Sequence, residues 1–283
     1  ASDIDLLSET YNTMKGSDTK DQSTVDESDS RTGRTARPNK EKPRTIGVLE
    51  GDLGLDPAVE QSFQRTAEAL RDVGYKTVPI NMKTLEYVVP AYYTIASAEA
   101  SANLARYNGV RYGYRPIFAE NPDELMRKAR TEAFGDEVRL RIVLGTYVLR
   151  SGFQDQYYTR AQKIRTLIRN ELNSIFDSVD LLLLPTFPTQ AFAGGSDGMD
   201  PFQQKVADRF TCTANLAAVP ALTVPTELVD RLPVGMQLMG PVFSEPNLFS
   251  VAKHLSSVMP IRHPADSLSF RQWDQKHAAG GRN

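Results

Sequence analysis

"RTIGVLEGDLGLDPAVEQSFQRTAEALRDVGYKTVPI", residues 44–80, sets the fold class of this chain. "TIGVL" is a short, β-branched apolar run, the composition of a buried strand. Asp56 then stands at a helix N-cap position, with Pro57 at the first helical residue, where a missing N–H costs nothing. Val59, Phe63, Ala67 and Leu70 recur on one helical face. Gly74 supplies the stop, and "KTVPI" reads as the next strand. A strand, a helix and a strand joined this closely predict a parallel pair with a right-handed crossover.

The same reading extends downstream. "DLLLLPTFPT" (180–189) is fully apolar and ends in prolines, which suits a central strand covered on both sides. "ALTVP" (221–225) and "VGMQLMG" (234–240) read as two more strands. Helices are expected over "DEVRLRIVLGTYVL" (136–149), "YYTRAQKIRTLIRNELNSIFDSV" (157–179) and "PNLFSVAKHLSSVM" (246–259). The second of these places Ile164, Leu167, Ile168, Leu172, Ile175 and Phe176 on one stripe, with a solvated basic face opposite. Asp200-Pro201 repeats the cap-plus-proline start for a helix through "FQQKVADRFTCTANLA" (202–217). The fold class is therefore α/β, a mixed β-sheet flanked by helices.

At 283 residues, 40% apolar and 24% charged, the chain has the composition of a soluble globular protein. A formal charge of −2 argues against a strongly basic nucleic-acid binder. The single cysteine, Cys212, excludes an internal disulfide framework and a cysteine-rich zinc site, and suits the cytoplasm or an organelle matrix. No apolar run approaches the roughly 20 residues that cross a bilayer, so no membrane partner is expected. Residues 9–43 are almost devoid of large apolar side chains and cannot offset their own ordering entropy, the signature of a mobile connector. The expected organisation is a short helix end and polar connector over 1–43, a domain over 44–260, and a polar tail over 261–283.

The usual catalytic signatures are missing: no HExxH, CxxC, P-loop or strand-to-helix GxGxxG stands in the chain. His254, His263 and His277 all fall near the C-terminus and read as structural or solvated, against a Ser-His-Asp triad. "AGGSDG" (193–198) reads as a turn, and Cys212 as a buried packing residue. What remains is charge in apolar surroundings. Arg141 sits on a strongly apolar helix and must face a carboxylate or an anionic ligand, because an unpaired buried guanidinium is costly. Asp208, near the middle of its expected helix, is a second candidate. Tyr92 and Tyr93 open the small-residue stretch "YYTIASAEASANLARYNGVRYGYR" (92–115). On the residues alone, a structural Arg–Asp pair, two solvated charges and a ligand pocket all stay open, and either of the first two is simpler than the pocket.

The stretches "VPAYYTIASAEASANLARYNGVRYGYR", "EAFGDEVRLRIVLGTYVL", "YYTRAQKIRTLI", "LLLLPTFPTQAF", "TANLAAVPALTVP" and "LPVGMQLMG" resemble, in this order, the C-terminal half of the amidase-signature family. They look most like the amidase subunit of tRNA-dependent amidotransferases. The resemblance implies an amidase-signature α/β/α sandwich and an enzyme that releases ammonia from glutamine. A partner subunit then uses that ammonia to amidate glutamate or aspartate mischarged onto tRNA. By the same resemblance Arg141 holds the glutamine α-carboxylate, Asp208 its α-ammonium, and Tyr92 hydrogen-bonds near the substrate. The stretch 92–115 becomes a pocket wall.

No cofactor is implied for this chain; ATP and magnesium belong to the partner subunit. The implied partners are the amidotransferase B and C subunits, the N-terminal half of the amidase subunit, glutamine and, indirectly, mischarged tRNA. The family's Ser–Ser–Lys nucleophile arrangement needs a Gly/Ser-rich loop, and no Gly-Ser-Ser-Gly-Gly-like loop occurs in this sequence. That leaves the chain, a fragment or a split-gene product, inactive and poorly soluble by itself. Asn108 stands where the family usually has aspartate and Ala218 where it has glycine; the asparagine puts an ion pair with Arg111 or Arg115 in question. Two other readings are a general amidase-signature hydrolase and a non-catalytic scaffold that binds partner subunits or tRNA through its basic helix.

Overall fold

A computed structural model describes residues 3–18, 20–21, 24, 43–192, 200 and 206–261. The 193–198 turn, His263, His277 and most of the expected connector and tail lie outside the described residues. The chain divides into two compact units, one formed by 1–81, 173–201 and 218–283, the other by 82–172 and 202–217.

The first unit is built on a five-stranded sheet of order β2-β1-β3-β5-β4, with β1 Thr45–Leu49, β2 Lys76–Ile80, β3 Leu181–Pro185, β4 Ala221–Val229 and β5 Leu232–Met239. β1 pairs in parallel with both β2 and β3, while β5 runs antiparallel to β3 and β4. The sheet is mixed, as the sequence predicts, with β3 at its centre. Leu181, Leu182, Leu183 and Leu184 are each 0% exposed. Cutting any one of them back to alanine removes about 2–5 kcal/mol, so this strand dominates the unit's core. The Asp180 carboxylate, just ahead of β3, accepts the N–H groups of Arg44 at 2.8 Å and Thr45 at 2.9 Å, which fixes the start of β1 beside it.

Helix α2 (Pro57–Asp72) crosses between β1 and β2 and buries the expected Val59, Phe63, Ala67 and Leu70. Asp56 occupies the N-cap position without a side-chain capping bond; its own N–H donates to the Pro188 carbonyl at 2.9 Å. Two buried hydroxyls on α2 need partners and have them. Thr66 donates to the Ser62 carbonyl at 2.8 Å, and Ser62 Oγ lies 3.5 Å from Thr226 Oγ1 on β4. Arg65 adds a two-pronged bond to Glu227 Oε2, from Nε at 3.1 Å and Nη2 at 2.7 Å.

Helix α1 (Ile4–Met14) covers the first residues of the stretch expected to be mobile. Its placement has a tertiary cause: Tyr11 packs on Phe249, ring centroids 5.5 Å apart, and Asp5 pairs with Lys253 at 2.8 Å, both on the closing helix (Glu245–Val258). His254 of that closing helix is structural as expected, with Nδ1 2.6 Å from the Tyr75 hydroxyl.

The second unit is helical: α3 (Val88–Leu104), α4 (Pro122–Ala133), α5 (Asp136–Val148), the first part of α6 (Arg160–Ser178) and α7 (Arg209–Ala217). The closing helix of the first unit is α8. A π-helical turn, Asp155–Thr159, leads into α6, where the sequence suggests an unbroken helix from Tyr157. Leu167 departs from its expected place in the buried stripe and is 58% exposed. Three residues on from Ile164, it falls about 60° short of a full turn, at the stripe's edge. On the basic face, Arg165 is not merely solvated: its Nε donates to the Leu216 carbonyl at 2.9 Å and closes the end of α7.

The small residues of 92–115 bring α3 against α5. Ser97 and Ala98 are buried, and a Cβ added to Gly145 of α5 would run into the Ser97 carbonyl oxygen. Ser101 Oγ and Thr146 Oγ1 lie 3.0 Å apart along the same seam. Ala218, directly after α7, has φ of 55°, the left-handed region that glycine enters without strain, so alanine there is strained.

Two substitutions should therefore move stability in opposite directions in urea unfolding. Gly145→Ala should cost about 1–3 kcal/mol net, because overpacking against backbone outweighs alanine's roughly 1 kcal/mol helix advantage. Ala218→Gly should stabilise by about 1 kcal/mol. A neutral Gly145→Ala, or a destabilising Ala218→Gly, would contradict these placements.

Candidate functional site

The side chains singled out in the sequence meet in the helical unit, around a residue the sequence left in the background. Tyr93 on α3 donates its hydroxyl to Asp208 Oδ2 at 2.9 Å. The Arg141 guanidinium, from α5, lies over the ring of the same tyrosine, 5.5 Å from its centroid. One phenol thus touches a cation with its face and an anion with its hydroxyl. The face of an aromatic ring attracts a guanidinium, and a phenol hydroxyl is a good donor to a carboxylate, so both contacts are attractive.

Each charged group is only partly used. Arg141 Nε donates to Glu137 Oε1 at 3.0 Å, one helical turn earlier, in a pair whose side chains are 33% and 52% exposed. Neither Nη of Arg141 donates to any described residue. Asp208 Oδ1 likewise accepts nothing from the described residues, its Oδ2 being occupied by Tyr93. Asp208 falls at a one-residue turn within the expected helix: residues 206 and 207 are helical before it, and α7 begins at Arg209 after it. Its carbonyl still accepts the Cys212 N–H at 2.8 Å, as in a helix.

Electrostatics follow from this packing. Burial, then the hydrogen bond to Asp208 and that carboxylate's charge, raise the Tyr93 pKa well above a free phenol, against a smaller opposing effect of Arg141. Tyr93 therefore remains a donor throughout the physiological range. Burial and the Asp208 charge push the Cys212 thiol up to about 12, so Cys212 is a neutral packing residue and not a nucleophile. Tyr92, the expected substrate contact, sets its ring edge-on to Tyr93 with centroids 5.4 Å apart. The tyrosine joined to both charges is its neighbour. Helical periodicity separates the two by about 100°, and nothing in the sequence says which faces the acid.

Among the described residues no group of three or more His, Cys, Asp or Glu side chains could hold a metal ion. No described helix is long and apolar enough to cross a membrane. In the sheet unit, a groove of about 700 Å³ runs along α2 and β2 and is lined by Glu50, Asp52, Glu60, Glu68 and Arg71. Its lining holds these carboxylates and Thr77 but no histidine, cysteine, serine or lysine.

Comparison with known proteins agrees with this architecture. The profile of the Amidase family matches residues 1–249. The A subunit of a glutamyl-tRNA(Gln) amidotransferase from Synechococcus sp. (strain RCC307) is 47% identical over 219 residues, covering 76% of this chain and 45% of that protein. Its counterpart in Legionella pneumophila (strain Paris) is 45% identical over 200 residues, 71% of this chain and 41% of that protein. The crystal structure of the corresponding glutamyl-tRNA(Gln) amidotransferase protein from Thermotoga maritima superposes with a TM-score of 0.63 at 29% identity, over 88% of this chain and 49% of that one. A 6-aminohexanoate cyclic dimer hydrolase shares the fold, with a TM-score of 0.67 at 18% identity and coverage of 92% and 55%. The chain spans less than half the length of the curated relatives it matches. On the family profile and these identities together, the chain belongs to the amidase family.

Proposed function

We propose that this chain is the glutamine-binding half of an amidotransferase amidase subunit. The observation that carries the reading is the pair of half-used charges around Tyr93, with both Arg141 Nη groups and Asp208 Oδ1 left without a described partner. A free amino acid presents an α-carboxylate and an α-ammonium. A planar guanidinium grips the first with two parallel bonds, and a carboxylate accepts from the second. Tyr93 presets both: its hydroxyl holds the Asp208 carboxyl group in one orientation, and its ring gives Arg141 a surface to lie on. Tyr92 lies beside them as the neighbouring wall. Holding the ligand's charged ends fixed leaves its side-chain amide as the part presented for reaction, which is positioning, not bond-breaking.

Bond-breaking in this reading falls to the family's Ser–Ser–Lys arrangement, supplied by the upstream half of the fold. The released ammonia passes to the B and C subunits, where ATP and magnesium are used and the mischarged tRNA is amidated. A second reading, a general amidase, draws on the Glu137–Arg141 bond: an arginine already paired within its own helix leaves a site for uncharged amides.

The two separate in one experiment. The chain is reconstituted with a polypeptide carrying the upstream half of the Synechococcus relative, and glutaminase activity is compared with hydrolysis of a neutral amide. The isolated chain should turn over neither. Arg141→Ala should weaken glutamine use by about 2–5 kcal/mol. Tyr93→Phe, which keeps the ring but removes the hydroxyl, should weaken it by about 1.5–3 kcal/mol. Hydrolysis of the neutral amide should hardly change in either variant. Equal effects on both substrates, or none on glutamine, would contradict the glutamine reading.

A further inference from the structure

A guanidinium offers a carboxylate two two-pronged edges, one through Nε and an Nη, the other through both Nη groups. In Arg141 the first is taken. Its Nε donates to Glu137 Oε1 at 3.0 Å, while neither Nη donates to a described residue. The contact follows from the sequence: Glu137 and Arg141 stand four apart on α5, acid first, the order in which such a helical pair is favourable. Glu137 also lies in the first turn of α5, where the helix dipole favours a negative charge. The nearest other arginine of α5, Arg139, is engaged elsewhere: it pairs with Asp136 at 3.3 Å and donates to the Thr131 carbonyl.

Among the described residues two groups hold the Arg141 side chain, the Tyr93 ring and the Glu137 carboxylate. The ring gives the guanidinium a surface to lie on but no preferred direction across it, because a π face attracts the cation without directed bonds. The bond at Nε supplies that direction. A long side chain already held before the ligand arrives loses less freedom on binding, an advantage of about three- to tenfold in affinity. One effect opposes this, since Glu137 and a ligand carboxylate on the same guanidinium repel each other. Both side chains of the pair are partly exposed, 33% for Arg141 and 52% for Glu137, so solvent and salt screen that repulsion. Positioning therefore outweighs it.

We propose that Glu137 is a positioning residue: by occupying Arg141 Nε it turns the guanidinium so that a ligand carboxylate is gripped end-on, by the two Nη groups. The proposal rests on the glutamine reading, which makes that group the α-carboxylate of glutamine. The test measures glutaminase KM and kcat in the reconstituted protein described above. Glu137→Ala should raise KM about three- to tenfold with little change in kcat. Glu137→Gln, which keeps an acceptor for Nε, should bring KM back to within about twofold of the parent. Glu137→Ala made on top of Arg141→Ala should leave kcat/KM where Arg141→Ala alone puts it, because the effect runs through the guanidinium. A bond that merely stabilises the helix would lower the thermal midpoint and act equally in both backgrounds, and that result overturns the proposal. So does a Glu137→Gln variant no better than Glu137→Ala. A KM that Glu137→Ala leaves unchanged or lowers, while Arg141→Ala raises it, overturns the role of Glu137 and leaves the glutamine reading intact. Glutamine turnover that Arg141→Ala does not weaken, or no glutamine turnover by the parent, overturns both.

Discussion

The phenol of Tyr93 is the contact on which the candidate site depends. Its hydroxyl donates to Asp208 and its ring lies beneath Arg141, so two opposite charges from α5 and the start of α7 are arranged by one side chain of α3. Without it, a partly buried carboxylate and a guanidinium on an apolar helix would each lose a close contact. Burial and the hydrogen bond to Asp208 raise the phenol's pKa, so the hydroxyl keeps its proton to donate. The arrangement satisfies the charges incompletely, and incomplete satisfaction is what leaves room for a ligand.

That contact requires close approach of α3 and α5, which the small residues permit. Gly145 meets the Ser97 carbonyl, and Ala98 is 0% exposed. A larger side chain at either place would push the helices apart and carry Arg141 off the tyrosine ring. Packing and chemistry are thus one design at this seam. The five-stranded sheet is a separate body with its own core, centred on the four leucines of β3. The stability effects expected for Gly145 and for the β3 leucines belong to different units.

Much of this was legible in the sequence because it follows from periodicity and local chemistry. The β1-α2-β2 unit, the central apolar strand and the buried face of α2 all appear where the pattern puts them. Arg141 and Asp208 stood out as charges in apolar settings, and the structure brings both to one tyrosine. What the sequence did not show depends on tertiary contact. Tyr92 and Tyr93 are equivalent until α7 lies beside one of them. Asp208 interrupts its helix for one residue, although the pattern around it is helical on both sides. Leu167 fitted a stripe whose width only the neighbouring elements decide. Helix α1 extends further than its polar sequence suggests because Phe249 and Lys253, far along the chain, provide its seat.

The central claim is that Arg141 and Asp208 grip the two charged ends of one amino acid. Calorimetry on the reconstituted protein tests it directly, comparing L-glutamine with N-acetyl-L-glutamine and L-glutamine methyl ester. Blocking either charged end should remove about 1.5–3 kcal/mol, roughly a ten- to hundredfold loss of affinity. Equal affinity for glutamine and either blocked analogue would contradict the account.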